Sequence, residues 1–182
     1  MVIVLFGAPG VGKGTQAEIL AEKLRIAHMS TGAAFRSAIQ AQTPVGVLAQ
    51  SFVSQGKLVP DDVVAKIVEE FLAKPEFTKG YILDGFPRTR AQAEDLDRML
   101  TASGGAIDHV VNIEVDDQTI VTRLLQRGRQ DDQEDVIRRR LEIYNNETAP
   151  LLDFYGKKGT LTSIRGVGSV EDVTSRILAV IA

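Results

Sequence analysis

The chain has 182 residues, 21 Lys and Arg against 24 Asp and Glu, a formal net charge of −3 and no cysteine. The length suits one domain able to bury about 70% of its unfolded surface; the charge balance argues against a dedicated nucleic-acid or membrane-surface binder, and the absence of cysteine excludes a disulfide framework and a Cys-ligated zinc site. The first apolar run starts without a basic leader and no run approaches the roughly 18 residues of a spanning helix, so the expected location is the cytoplasm.

In chain order, Val2-Ile3-Val4-Leu5-Phe6 is a short apolar run bounded by glycine and reads as a buried strand, and 13–24 reads as a helix. Between them, Gly7-Ala8-Pro9-Gly10-Val11-Gly12-Lys13-Gly14-Thr15 joins a strand end to a helix start. Glycines there let the backbone approach an anion while N–H groups and the helix N-terminus point at it, and Lys13 adds a full charge for the β- and γ-phosphates. The spacing fits a phosphate-binding loop, except that Gly14 follows the lysine where Ser or Thr is usual.

Further strands are predicted at 27–29, 81–83, 109–115 and 160–164. Helices are predicted near 33–41, 45–55, 62–73, 90–102, 117–127, 133–155 and 170–181, with start signals at Thr43, Asp116 and Ser169. This alternation predicts an α/β fold, a parallel sheet with helices on both faces and ligands at the strand C-terminal ends. Two excursions interrupt it, one near 30–60 and an arginine-rich one near 127–140. The apolar faces of 62–73 and 170–181 are assigned to the core, and His28 and His109, without nearby ligand spacing, to structure.

Chemistry-bearing residues cluster after the strands. Asp84 ends a strand run and precedes glycine, where its carboxylate can face the phosphate loop and hold Mg²⁺ through water; an ordinary Asp-Gly turn has the same pattern. Arg88 lies in a Gly-Phe-Pro-Arg turn and can grip a phosphate bidentately. Of 13 arginines, six lie between 123 and 140. Arg123 and Arg127 share a helix face, and in the next helix Arg140 lies nearest the stripe of Ile137, Leu141 and Tyr144 and leans toward the cleft. Arg138 and Arg139, four residues after Glu134 and Asp135, read as solvated ion pairs. No dedicated base motif is present, which favours an acceptor that is already anionic, such as a phosphate.

Taken together, the stretch Gly7 to Gln16, Ser30-Thr31-Gly32, Gly56-Lys57-Leu58-Val59, Leu83-Asp84-Gly85-Phe86-Pro87-Arg88-Thr89, and Asp131-Asp132 with Arg140 resemble the signature set of adenylate kinases, in the family's order and over nearly the whole chain. The resemblance implies a three-layer nucleoside-monophosphate kinase fold: a five-stranded parallel core (1–29, 60–126 and 141–182), an AMP-binding helical insert (30–59) and a short lid with flanking arginines (127–140). It implies reversible transfer from MgATP to AMP giving two ADP, without a covalent intermediate. ATP would meet Gly10, Val11, Gly12, Lys13, Gly14, Thr15, Arg123 and Arg127. AMP would meet Thr31, Arg36, the backbone around Lys57, Leu58 and Val59, then Gly85, Arg88, Gln92, Arg129 and Arg140. Lys13, Arg88, Arg123, Arg129 and Arg140 would form the catalytic set, Asp84 would hold magnesium, and Asp131 and Asp132 would make lid contacts.

Gln92 has an amide that can donate to and accept from an adenine edge. Two departures stand out. Many relatives follow Ser-Thr-Gly with aspartate where this chain has Ala33, removing a helix cap or polar contact. Only 12 residues, 128–139, separate Arg127 from Arg140, which resembles the short-lid form. The expected partners are ATP, AMP and ADP, with no nucleic acid or membrane, and the expected state is a monomer. A kinase for another nucleoside monophosphate and a non-catalytic nucleotide-binding module are the alternatives. Thr31 and the sequence after the Pro-Arg turn differ from uridylate–cytidylate kinases, and no Asn-Lys-x-Asp guanine motif is present.

Overall fold

The computed structural model of the chain describes residues 1–182. Five strands, β1 (Val2–Phe6), β2 (Ala27–Ser30), β3 (Tyr81–Asp84), β4 (His109–Glu114) and β5 (Leu161–Arg165), form one sheet in the order β2-β3-β1-β4-β5. Every pairing is parallel. The central strand β1 is buried along its whole length, as the continuous apolar run requires. Alternate residues feed the two layers: Val2, Val4 and Phe6 join one apolar cluster, and Ile3 and Leu5 the other.

Helices connect the strands. α1 (Lys13–Leu24), α2 (Thr31–Gln40), α3 (Pro44–Ser54) and α4 (Asp61–Leu72) precede β3, and α5 (Arg90–Ala102) follows it. After β4 come α6 (Asp117–Arg127), α7 (Glu134–Ile143) and α8 (Pro150–Lys157), and α9 (Val170–Ile181) closes the chain. Thr43, Asp116 and Ser169 cap their helices as predicted, each side chain accepting a backbone N–H at 2.9 to 3.1 Å. Val64 and Val68 of α4 and Val173, Ile177 and Ile181 of α9 are core residues.

The α/β class and five-stranded parallel sheet agree with the sequence reading, while several local features differ. α2 begins at Thr31, so the Ser-Thr-Gly segment is the cap and first turn; Ser30 Oγ accepts the Ala33 N–H, and the helix keeps a cap without an aspartate at 33. The single helix predicted over 133–155 is interrupted. Residues Tyr144–Thr148 take a π turn in which the Ala149 N–H donates to the Tyr144 carbonyl, before α8 opens on Pro150. Proline lacks the N–H for a regular helix and its ring crowds the carbonyl four residues back, so the widened turn absorbs it.

The chain's crossover direction reverses at β1 and β3. In register, Leu5 lies opposite Asp84, and Ser30 of β2 lies opposite Asp84 on the other side. The loop after β1 and the turn after β3 therefore open into the crevice where parallel sheets bind ligands.

Candidate active site

A cleft of about 500 Å³ opens at this switch point. Its lining holds eight cationic side chains, Lys13, Arg36, Lys57, Arg88, Arg123, Arg127, Arg129 and Arg140, against three carboxylates, Glu18, Asp84 and Asp131. In a chain of net charge −3 such a concentration selects polyanions.

The loop between β1 and α1 supplies the floor. Gly7 has φ +136°, and a Cβ there would stand 2.6 Å from the Ile113 carbonyl oxygen, so only glycine lets the loop pass β4. Gly12 enters α1 in the left-handed region, φ 104°, and no side chain caps the helix. The first N–H groups of α1 are thus left facing the cleft for an anion. Lys13 folds back over the loop, its Nζ donating to the carbonyls of Gly7 at 2.7 Å and Ala8 at 2.9 Å. Burial pushes the Lys13 ammonium down to about 8; Asp84 works against that, and Arg88, Arg140 and Arg127 reinforce it.

Asp84 is 9% exposed. Its Oδ2 accepts the Ser30 hydroxyl at 3.0 Å and lies 3.6 Å from where a Cβ on residue 14 would sit, so Gly14 keeps the carboxylate close to the phosphate loop. No protein donor reaches Oδ1. No group of three or more His, Cys, Asp or Glu assembles around it; a lone carboxylate oxygen beside a phosphate loop suits Mg²⁺, which keeps its waters and takes phosphate ligands.

The turn after β3 forms the second pocket. Arg88 donates from Nε to the Gly85 carbonyl at 2.8 Å, and a Cβ on Gly85 would come within 2.8 Å of its guanidinium and 2.9 Å of Thr31 Oγ1. Thr31 donates to the Gly85 carbonyl at 2.8 Å. Burial and Arg36 push Arg88 below the usual guanidinium value while Asp84 opposes them. Arg36, from α2, and the Lys57-Leu58-Val59 segment complete the wall. Gln92 is 1% exposed. Its Oε1 accepts the Arg88 N–H at 2.8 Å and its Nε2 donates to Asp61 at 2.7 Å, leaving one lone pair and one hydrogen of the amide unspent.

The third wall is the arginine cluster. Arg123 reaches the Gly166 carbonyl at 3.3 Å. Arg127 grips Asp132 with two bonds of 2.7 and 2.9 Å, and the Arg129 N–H donates to the same carboxylate at 3.0 Å. Arg140 pairs with Asp131 at 2.8 Å. Arg138 pairs with Glu134 on the surface as predicted. Arg139 does not pair with Asp135; its Nη1 donates to the Gln55 carbonyl of the insert at 3.2 Å, because α7 lies directly against the end of α3.

All the residues predicted to meet nucleotide line this one cleft except Val11, which lies buried in the loop itself. His28, assigned to structure, also borders it; burial lowers its pKa, opposed by Asp84 and Glu18, and its Nε2 is buried without a partner. The supporting roles of three residues escaped the sequence reading. Ser30 orients Asp84, Asp61 holds Gln92 and Thr89, and Thr148 of the π turn donates to the Arg88 carbonyl at 2.8 Å. Ser30 had a signal in the Ser30-Thr31-Gly32 stretch and Thr148 in its place two residues before Pro150, whereas Asp61 had none.

An anion loop at the sheet's switch point, facing a second arginine pocket across one cleft, defines a P-loop phosphotransferase that holds a phosphoryl donor and acceptor side by side. Comparison with known proteins gives the family. A family model described as adenylate kinase matches residues 5–160. Among curated relatives, adenylate kinase 1 of Nostoc sp. is 50% identical over 97% of this chain and 96% of its own length. The adenylate kinase of Corynebacterium diphtheriae is 51% identical over 98% and 97%, and that of Stenotrophomonas maltophilia 45% identical over 100% and 99%. The chain belongs to the adenylate kinase family, whose members transfer a phosphoryl group reversibly between ATP and AMP.

Proposed function

We propose that the chain moves the γ-phosphoryl group of MgATP directly to AMP, and back from two ADP, with donor phosphates on the 7–15 loop and the AMP phosphate between Arg36 and Arg88. The observation that carries this reading is the pair of anion pockets sharing one cleft, close enough that Arg88 and Arg140 both act on the Lys13 charge. Transfer spreads negative charge over the moving group's oxygens, so positioning and charge stabilisation do most of the work. Lys13, Arg88, Arg123, Arg129 and Arg140 supply that charge, and Arg127 helps hold ATP. AMP brings its own anionic nucleophile, so no protein base is required.

Magnesium enters with ATP as part of the substrate, and Asp84 would hold it through water; the ion neutralises phosphate charge. Thr31, Gly85, Gln92 and the backbone at 57–59 surround the AMP nucleoside, and Gly10 to Thr15 with Arg123 surround ATP. The insert 30–59 and the short lid 127–140 close to exclude water from the transferring group. The Arg139 bond to the Gln55 carbonyl and the approach of Arg140 Cγ to within 3.0 Å of a Cβ built on Gly56 place the two segments in contact, so closure needs only to tighten a junction that already exists. We place the protein in the cytoplasm as a monomer acting on small nucleotides.

³¹P NMR of the purified protein with ADP and Mg²⁺ tests the reading, with an Arg88→Ala protein purified identically. Paired growth of ATP and AMP is expected with the intact protein and a loss of at least about 100-fold in Arg88→Ala. AMP binding that survives Lys13→Ala but fails in Arg88→Ala would separate the two pockets. Equal conversion by both proteins would refute the assignment of Arg88.

A further inference from the structure

Asp61, the first residue of α4, stands where the insert rejoins the core, and both its carboxylate oxygens are engaged. Oδ1 accepts from Gln92 Nε2 at 2.7 Å and Oδ2 accepts the Thr89 hydroxyl at 2.9 Å. At the other end of the amide, Gln92 Oε1 accepts the Arg88 N–H at 2.8 Å. A carboxylate can only accept and a backbone N–H can only donate. Rotating the amide by half a turn would therefore set oxygen against carboxylate and N–H against N–H, in a site where Gln92 is 1% exposed and no water could soften the mismatch. The amide is held in one orientation, with one lone pair and one hydrogen unspent, in a residue that lines the cavity.

We propose that Asp61 is a specificity-determining positioning residue: by fixing the Gln92 amide it makes the pocket accept an adenine edge and reject a 6-oxopurine edge. This rests on the reading of that wall as the AMP pocket. Adenine presents an amino donor at position 6 and an acceptor at N1, whereas hypoxanthine presents an acceptor at position 6 and a donor at N1. A fixed amide matches one pattern only; an amide free to turn matches both. Asparagine at 61 has a single oxygen, and if Thr89 keeps it, the asparagine amino group faces Gln92; either orientation of the Gln92 amide then leaves one donor against a donor, that amino group or the Arg88 N–H, and the preference for a single orientation is lost.

The experiment compares kcat/KM for AMP and for IMP, with MgATP as donor, in the unmodified protein, Asp61→Asn, Gln92→Ala and Asp62→Asn. Asp62 carries the same charge in the same first helical turn, is exposed and makes no side-chain hydrogen bond, so Asp62→Asn should keep the AMP:IMP ratio. Asp61→Asn should lower the ratio at least about tenfold, mainly by raising KM for AMP, with kcat for AMP and KM for ATP within about twofold. A ratio unchanged in Asp61→Asn but lowered in Gln92→Ala overturns the inference and leaves the AMP pocket standing. A ratio unchanged in both removes adenine from beside Gln92 as well. In the unmodified protein, the Gln92 side-chain amide protons should be protected from exchange, with the one that faces Asp61 shifted downfield by its hydrogen bond; unprotected protons at the shifts of a free glutamine amide would overturn the proposal whether or not Asp61→Asn folds.

Discussion

Replacing Asp132 by asparagine tests whether the lid arginines are held by a buried counter-charge. The Asp132 side chain is 0% exposed and Arg127 is 30% exposed. Two bonds from Arg127 and one from the Arg129 N–H converge on the carboxylate, with Arg140 at 3.5 Å. Removing one member of a fully buried pair costs about 3–5 kcal/mol, and a solvent-exposed pair contributes about 0–1 kcal/mol. With one partner buried and the other partly wet, a loss of about 3 kcal/mol is expected. At roughly 2–4 °C per kcal/mol for a chain of this size, Tm should fall by about 9 °C at pH 7. Burial alone would raise the Asp132 pKa, but the Arg127 hydrogen bonds, the Arg129 N–H and the charges of Arg127 and Arg140 outweigh it and the pKa is lowered. A depressed carboxylate stabilises the fold above its unfolded value and loses that contribution as pH falls through its folded value. The gap between the unmodified protein and Asp132→Asn should therefore be full at neutral pH and close below about pH 4. Melts followed by circular dichroism across that range decide it. A shift of under about 2 °C at pH 7, or a gap that persists in acid, would refute the reasoning.

Lys13, pushed down to about 8, costs the free protein stability at every pH below that value, and the cost fades as pH rises toward its ordinary 10.5. Phosphates restore its charge, so MgATP binding at pH 9 should take up close to one proton; calorimetry in buffers of different ionisation heat measures it, and no uptake contradicts the shift. Gly46 of α3 packs so closely on α2 that a Cβ would stand 2.1 Å from the Ala38 carbonyl oxygen. Because the obstacle is backbone, Gly46→Ala should cost roughly 2–3 kcal/mol and raise KM for AMP far more than for ATP, and a variant with native melting and kinetics would refute the close crossing.

What was legible in the sequence was local. The phosphate loop announces itself through glycines between an apolar run and a helix, and the caps at Thr43, Asp116 and Ser169 act within three residues of themselves. Arg140 could be placed toward the cleft from helical phase alone. Polar partners distant in sequence were not legible. Arg139 looked like an i,i+4 surface ion pair with Asp135, yet its bond goes to Gln55, 84 residues away. Gln92 was read as an adenine contact, but its burial was not legible, because it depends on Asp61, 31 residues away, and on the Arg88 N–H to satisfy its amide. The break after α7 was hidden by a stripe continuing through Ile137, Leu141, Leu151 and Tyr155, all of which are buried on both sides of it. Pro150 was the sole sign that the helix could not stay regular.

The same geometry explains how so many cations coexist in one cleft before a nucleotide arrives. Lys13 bonds to its own loop, Arg88 to Gly85, Arg123 to Gly166, Arg127 to Asp132 and Arg140 to Asp131. Each grip thus begins on a carbonyl or carboxylate that, under the proposed function, the substrate's phosphates would replace. Binding exchanges acceptors rather than creating contacts from solvated side chains, which limits the entropy lost in ordering long arginines. It also makes the internal carboxylates competitors of the substrate: Asp131 and Asp132 hold Arg127 and Arg140 in position, and the harder they hold, the more phosphate charge is needed to draw the arginines away. Under the proposed function, a polyphosphate would meet that demand where a single small anion would not, so the acidic pair Asp131 and Asp132 would also screen which anions recruit Arg127 and Arg140.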